Sequence, residues 1–221
     1  MSASQVEIDR FQFERALQQS GTTRIAGVDE VGRGPLAGPV VAAAAVLPET
    51  WIRDGLPEAL QGLNDSKRLQ PAQREVFFEF LTARGEIQSA VSVVEVGVID
   101  SLNILRATHE AMNRSLAQLS PPPEHVLVDG LRVATIQFPQ TAIVQGDARS
   151  YSIAAASVIA KVTRDRLMDE FHRQYPVYGF ASNKGYGTAQ HLAALAEHGP
   201  CPLHRRSFAP LKPSQLELFE R

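Results

Sequence analysis

Four carboxylates follow short apolar runs. Asp29 and Glu30 come after Ile25-Ala26-Gly27-Val28, Asp129 after His125-Val126-Leu127-Val128, and Asp147 after Ala142-Ile143-Val144-Gln145-Gly146. A carboxylate beside a buried strand is costly unless a cation or a hydrogen-bond donor compensates it. Several of them delivered to one crevice repel one another, and they then either hold protons at raised pKa or take hard metal ions. Oxygen-only ligands favour Mg²⁺ or Mn²⁺ over zinc. Two such ions about 4 Å apart can clamp an in-line phosphoryl displacement, one activating water and the other stabilising the leaving oxygen. The plainer alternative is that each Asp caps the turn or helix that follows it, which fits Asp147 best because a helix is expected from Ser150.

Other residues suit a nucleic-acid ligand. Gly32-Arg33-Gly34 makes a turn whose backbone N–H groups and guanidinium could meet a phosphate or sugar, or simply a tight turn between strands. Ser66 and Lys67, just ahead of a helix opened by Pro71, could hold a phosphate or form a solvated helix start. In Lys184-Gly185-Tyr186-Gly187, Tyr186 could stack on a sugar or base and offer its hydroxyl to a 2′-OH, or pack locally. His204-Arg205-Arg206 adds positive charge and otherwise reads as a solvated surface run. The histidines show no metal spacing, and there is no GxSxG or Walker-type loop.

These residues need a scaffold. The chain has 221 residues, 44% hydrophobic and 21% charged, with a net charge of −2, so any nucleic-acid surface must come from local clustering. Cys201 is the only cysteine, which excludes an internal disulfide and suits a reducing compartment. The N-terminus lacks the pattern of a signal peptide and no apolar run is long enough for a bilayer span, so a soluble, cytoplasmic protein is expected.

The patterning predicts a helix over 6–19 and strands over 25–29 and 38–47. It then predicts an irregular loop over 51–63 and a helix over 71–84 that buries Val76, Phe77, Phe80 and Leu81. A strand over 87–96 and a helix over 100–119, N-capped by Asp100, follow. Strands end at Asp129-Gly130 and at Gly146-Asp147. The longest helix, over 150–175, is apolar all round in its first half and therefore central. A short helix over 189–197 precedes a mobile tail. The order implies an α/β fold with a mixed sheet flanked by helices. Strands one, four and five can then be parallel neighbours, which places Asp29, Glu30, Asp129 and Asp147 at carboxyl ends, the edge where open α/β sheets bind ligands.

Together these residues resemble the bacterial ribonuclease HII (type 2 ribonuclease H) family. The resemblance rests on Val28-Asp29-Glu30-Val31-Gly32-Arg33-Gly34, Asn64-Asp65-Ser66-Lys67, Val128-Asp129-Gly130 and Gly146-Asp147 with the Ser-Ile-Ala-Ala-Ala-Ser run at 152–157. Ala160-Lys161-Val162-Thr163-Arg164-Asp165, Lys184-Gly185-Tyr186-Gly187-Thr188 and His204-Arg205-Arg206-Ser207-Phe208 complete it. It implies a ribonuclease H-like mixed five-stranded sheet with a helical C-terminal extension, over a catalytic domain at 24–211. An N-terminal helical extension at 1–23 and a flexible tail at 212–221 would flank that domain. The short N-terminal extension favours type II over type III enzymes, which carry an extra N-terminal domain.

The resemblance also implies two Mg²⁺ or Mn²⁺ ions held by Asp29, Glu30, Asp129 and Asp147. The Gly32-Arg33-Gly34 turn and Tyr186 would recognise a ribonucleotide in an RNA/DNA hybrid or in a DNA duplex, with cleavage on its 5′ side leaving a 3′-hydroxyl and a 5′-phosphate. Ser66, Lys67 and Lys184 join the substrate-binding set, Asp165 reads as structural, and the enzyme is expected to be a monomer. In the tail, Gln215, Leu216, Leu218 and Phe219 resemble the linear motif by which bacterial proteins dock on the DNA polymerase sliding clamp. A junction-resolvase-like nuclease of the same fold would keep the carboxylates without needing Tyr186, and a non-catalytic nucleic-acid-binding module would need neither.

Overall fold

β1 (Ile25–Val31) is the middle strand of a five-stranded mixed sheet in the order β3-β2-β1-β4-β5. The structure, a computed structural model, describes residues 9–83 and 85–212. β1 runs antiparallel to β2 (Val40–Val46) and parallel to β4 (His125–Asp129). β3 (Gln88–Val94) extends the antiparallel half and β5 (Gln140–Ile143) the parallel half, so strands one, four and five are parallel neighbours as expected.

Alternate residues of the strands feed two separate cores, as the two-residue period of a strand requires. Val41, Ala43 and Ala45 of β2 pack with α6 (Tyr151–Gln174) and with α3 (Pro71–Ala83). Ala26, Val28, Ala42 and Ala44 pack instead with α5 (Ile104–Ala117) on the opposite face. The alanines of β2 let both layers come close. On β1 the approach is closer still: a Cβ at Gly27 would stand 2.1 Å from the backbone carbon of Ser152, so only glycine admits α6 there. α6 is the expected central helix. Ile153 to Ala160 are apolar but for Ser157 and all are buried, and Ser150 caps the N-terminus by accepting from the Ile153 N–H.

Several expectations are corrected. The stretch 51–63 is not an irregular loop: α2 (Glu49–Asp54) and a 3-10 turn (Glu58–Leu60) form there because Ile52 and Leu60 anchor them in the core. The helix expected from Asp100 is two helices, α4 (Val96–Leu102) and α5, broken at Asn103, whose φ of +75° ends one while its side chain caps the next. Asp100 lies inside α4 and accepts hydrogen bonds from Arg206 N and from the Ser207 N–H and hydroxyl. Val76 is exposed, and the buried stripe of α3 is Phe77 and Leu81. β5 ends at Ile143, so Asp147 reaches the sheet edge on a 3-10 turn (Gly146–Ala148) rather than at a strand end. His204 and Arg205 are buried, not solvated, because they carry the hydrogen bonds of a loop that has no sheet to satisfy it.

α1 spans Gln12–Gln19, and residues 6–8 of the expected helix lie outside the described residues. The C-terminal part is helical as expected: α7 (Phe180–Asn183) and α8 (Ala189–His198) enclose a third small core with Ala37, Met168 and Cys201. Gln215, Leu216, Leu218 and Phe219 lie outside the described residues. Among the described residues no helix is long and apolar enough to cross a membrane.

Candidate active site

The parallel register Val28↔Val128 brings Asp29 and Asp129 to the same level, one residue further along adjacent strands. Both follow the parity of Gly27 and Leu127, which face α6, so their side chains share that face. Glu30, the next residue, points to the α5 face. Asp129 stands between two cavities. One, of about 480 Å³, is lined by Asp65, Lys67, Arg68 and Asp147; the other, of about 330 Å³, by Glu30, Arg33, Thr108 and His109. The adjacent pair Asp29-Glu30 thus serves two sides of one sheet edge, with Asp129 common to both.

Three of the four carboxylates are held by short contacts. Asp29 is buried and accepts a hydrogen bond from the Glu30 N–H at 2.7 Å. The Ser157 hydroxyl on α6 favours its charged form, against that burial. Ser157 Oγ in turn donates to Ser66 Oγ at 3.0 Å. Ser66 is therefore buried behind Asp29 and not open to a phosphate, which corrects the sequence expectation. Asp129 Oδ1 accepts from the Gly146 N–H at 2.7 Å, and Glu30 pairs with Arg33 at 3.2 Å.

Charge remains uncompensated. Burial, then the charges of Glu30 and Asp129, push the Asp29 carboxyl well above the usual range. Burial raises Glu30 against the opposing pull of Arg33. Burial, Asp129 and Asp65 push Asp147 up to about 6, with Lys67 opposing. Burial alone would lower Lys67, but Asp65, Asp29, Asp147 and Asp129 outweigh it and hold its ammonium above the usual lysine value. Among the described residues no three His, Cys, Asp or Glu side chains form a ready-made metal cage. Asp129, Glu30 and Asp29 are engaged with the Gly146 N–H, Arg33 and the Glu30 N–H instead. The fit to a cation lies in the all-oxygen donor set and its mutual repulsion, which a divalent ion would relieve.

The second half of the site surrounds the Gly32-Arg33-Gly34 turn. Gly32 has φ of +92°, and a Cβ there would stand 2.2 Å from Arg164 Nε. Gly34 faces the Tyr186 ring, with 3.6 Å between its ideal Cβ position and Tyr186 Cε1. Tyr186 is 46% exposed, open to a ligand. Two fully buried guanidiniums brace these loops. Arg205 donates to the carbonyls of Gly32, Arg33 and Gly38, and Arg164 to those of Pro39, Ala37 and Lys184. Burial first, and for Arg205 the charge of Arg164, bring them down to about 10 and about 9, values that leave both cationic at neutral pH.

Arg164, Arg205 and Ser157 stand in the motifs that carry the resemblance, but sequence reasoning gave none of them these roles. Nothing in the local pattern distinguishes a buried arginine on a charged helix from a solvated one. Lys184 is placed differently from its expected use: its ammonium is bonded to Asp169 and to the Asp165 carbonyl. Asp165 itself pairs with Lys161 at 2.7 Å.

The ribonuclease HII family model matches residues 26–211. A ribonuclease HII of Bacillus cereus is 50% identical over 205 residues, covering 93% of this chain and 76% of the relative. Among solved structures, the ribonuclease H2 from Pyrococcus horikoshii OT3 is similar at a TM-score of 0.70 and 28% identity, over 90% of this chain and 100% of that one. The ribonuclease HII in a PCNA complex from Archaeoglobus fulgidus is similar at a TM-score of 0.69 and 23% identity, over 88% and 99%. Bst-RNase HIII in complex with Mn²⁺ follows at 0.70 and 22%, over 96% and 75%. The last two bear on the fold alone. Identity of one half over nearly the whole chain sets aside the junction-resolvase-like and non-catalytic readings. The chain belongs to the ribonuclease HII family and is a ribonuclease H, an endonuclease that cuts at ribonucleotides.

Proposed function

We propose that the enzyme hydrolyses the phosphodiester on the 5′ side of a ribonucleotide, in RNA/DNA hybrids or in DNA duplexes with embedded ribonucleotides, leaving a 3′-hydroxyl and a 5′-phosphate. Asp29, Glu30, Asp129 and Asp147 are the ligands of two Mg²⁺ or Mn²⁺ ions. The observation that supports this most is the placement of Asp129 beside Asp29 on parallel strands and between two cavities, each carrying a further carboxylate. When bound, the ions supply activation of the attacking water and charge stabilisation for the leaving oxygen. A structural neighbour solved with Mn²⁺ is consistent with that chemistry.

The chain's own residues do the rest. Glu30 and Arg33 are paired in the free enzyme; Glu30 would hold a cation, and Arg33 would then be free to donate to a substrate phosphate. Lys67 and Arg68 line the larger cavity and hold the backbone of the nucleic acid next to the scissile bond. Gly32, Arg33 and Gly34 close on the sugar from one side and Tyr186 from the other, reading the 2′-hydroxyl. Lys184 acts at one remove: tied to Asp169, it holds the loop that carries Tyr186. Outside the described residues, Gln215, Leu216, Leu218 and Phe219 supply a docking segment for the sliding clamp in the cytoplasm, and the monomer is the working unit. The PCNA complex of the archaeal relative is consistent with such docking.

Cleavage of an end-labelled DNA duplex carrying one ribonucleotide, with Mg²⁺ or Mn²⁺ and with the nick mapped, tests the reading. A single nick 5′ to the ribonucleotide is expected. Equal cleavage of an all-DNA duplex, or a nick on the 3′ side, would overturn it.

A further inference from the structure

Tyr186 is held from behind by two buried histidines. His191, near the start of α8, has Nδ1 2.8 Å from the Tyr186 carbonyl oxygen. Its Nε2 is 3.0 Å from Nε2 of His204. Nδ1 of His204 is 3.0 Å from the backbone nitrogen of Cys201, whose N–H is directed at it. Both rings are buried, His191 at 0% and His204 at 1% exposure, and both pack edge-on or tilted against Phe180 and Tyr178.

The two ends of this row fix its protons independently. A carbonyl oxygen only accepts, so His191 carries its proton on Nδ1 and presents a bare Nε2 to its partner. A backbone N–H only donates, so His204 must be bare at Nδ1 and carry its proton on Nε2. Either end alone would settle one ring, and both give the same result: one proton in the Nε2–Nε2 contact, donated by His204 to His191. His204 Nδ1 also has the Cys201 Sγ at 3.2 Å and the Cys201 carbonyl oxygen at 3.3 Å, both longer than the contact from the Cys201 N–H at 3.0 Å. An added proton on His191 sets two N–H groups against each other at the Nε2 contact, and one on His204 Nδ1 gives up the Cys201 N–H for the longer contact to the Cys201 carbonyl. In keeping with that, burial and the neighbouring His191 push His204 down to about 4.

We propose that His191 and His204 are positioning residues for the ribonucleotide-reading tyrosine: a neutral relay of fixed tautomer from the Cys201 N–H to the Tyr186 carbonyl sets where the Tyr186 ring stands over Gly34. The loop they hold is the junction of three segments. Leu36 and Ala37 donate to the Gly185 carbonyl, Arg205 N donates to the Leu36 carbonyl, and Ala37 and His204 form an isolated antiparallel bridge. A shift of the histidine pair therefore moves the tyrosine and the glycine turn relative to each other. This inference rests on the reading of Tyr186 as the sugar-selecting group, and its tests separate the two.

The first test needs no variant activity. Nitrogen-15 NMR of the histidine rings in the full chain at pH 7, assigned with His191→Gln and His204→Gln, is expected to show His191 protonated on Nδ1 and His204 on Nε2, with His204 not titrating down to pH 5. The opposite tautomer on either ring, or titration of His204 above pH 6, overturns the relay.

The second test compares cleavage of a singly ribonucleotide-substituted duplex with cleavage of a continuous RNA/DNA hybrid. His191→Phe keeps the ring packing and removes both nitrogens. The loss of one such hydrogen bond is worth about fivefold in preference for the single ribonucleotide, with KM for the hybrid unchanged. In a Tyr186→Ala background the same change is expected to do nothing further, and His191→Gln to recover part of the preference. An unchanged preference in a folded His191→Phe, or losses that add independently, overturns the proposal. If Tyr186→Ala itself leaves the preference unchanged, the sugar-reading role fails while the tautomers still decide the relay. If His191→Phe does not fold, the tautomers of the parent chain decide alone.

Discussion

Two halves of one site leave the carboxyl end of β1 with opposite electrostatics. At Asp29 and Asp129 the charge is negative, crowded and incompletely answered: burial and neighbouring charges raise Asp29, Glu30 and Asp147. A few residues on, two positive charges, Arg164 and Arg205, are buried just as deeply, yet their donors meet six backbone carbonyls. On the proposed reading the chemical half is left unfinished by the protein, and cations complete it. The recognition half is finished before any ligand arrives. That division suits a nuclease, in which ions must enter while the geometry that selects a ribose must already be rigid.

The comparison predicts unequal responses to substitution. Asp29→Asn or Asp129→Asn is expected to lower single-turnover cleavage by about 10³-fold or more, the order reached when a preorganised electrostatic group is lost. Duplex affinity, measured by fluorescence anisotropy, should change little, because these groups do not hold the backbone. Retained turnover would remove either residue from the ligand set. Arg205→Met belongs to the finished half and should act on the fold instead. It strands the carbonyls of Gly32, Arg33 and Gly38, at a cost of about 3 kcal/mol in denaturant unfolding. A variant as stable as the parent would show that those carbonyls find other donors.

Tyr186→Ala should reduce the preference for a single ribonucleotide over a continuous hybrid by about tenfold, as when a site loses a group that pairs with a substrate hydroxyl, and leave hybrid cleavage largely intact. The smallest effect is on stability without ions. Asp147 has a folded pKa near 6, above its ordinary value of 3.8, so it binds its proton more tightly when folded. Its contribution is fully present below pH 4 and is lost as the pH rises through about 6. In a chelator at pH 7.5, Asp147→Asn should therefore be more stable than the parent by about 1 kcal/mol after solvent screening. The margin should shrink between pH 6 and pH 4. A margin independent of pH would mean that the carboxylate is not repelled.

Most of the chemical half was legible in the sequence, and the reason is local. Asp29 and Asp129 each end a run of apolar residues that can only be a buried strand, so their position follows from the strand. Asp147 was legible as a residue but not in its geometry: β5 stops at Ile143, and a turn in which Gln145 has φ of +55° carries the carboxylate in. The finished half was read mainly through family resemblance. Gly32-Arg33-Gly34 and Tyr186 were named, but not what holds them. Arg164 and Arg205 gain their roles from carbonyls more than a hundred residues away in the chain for all but one bond, and no periodicity reports such a pairing. The break at Asn103 was missed for a similar reason: a single residue at positive φ divides a pattern that is otherwise continuous.

The account depends most on the carboxylate crevice being completed by cations. Titration of Mn²⁺ into the full chain, followed by calorimetry at pH 7.5 and at pH 5, measures this directly in the parent and in Asp129→Asn. Saturable binding at pH 7.5 that weakens at pH 5, where protons compete for Asp29 and Asp147, and that is lost in Asp129→Asn, is the predicted result. Binding that is the same at both pH values and survives Asp129→Asn would contradict it.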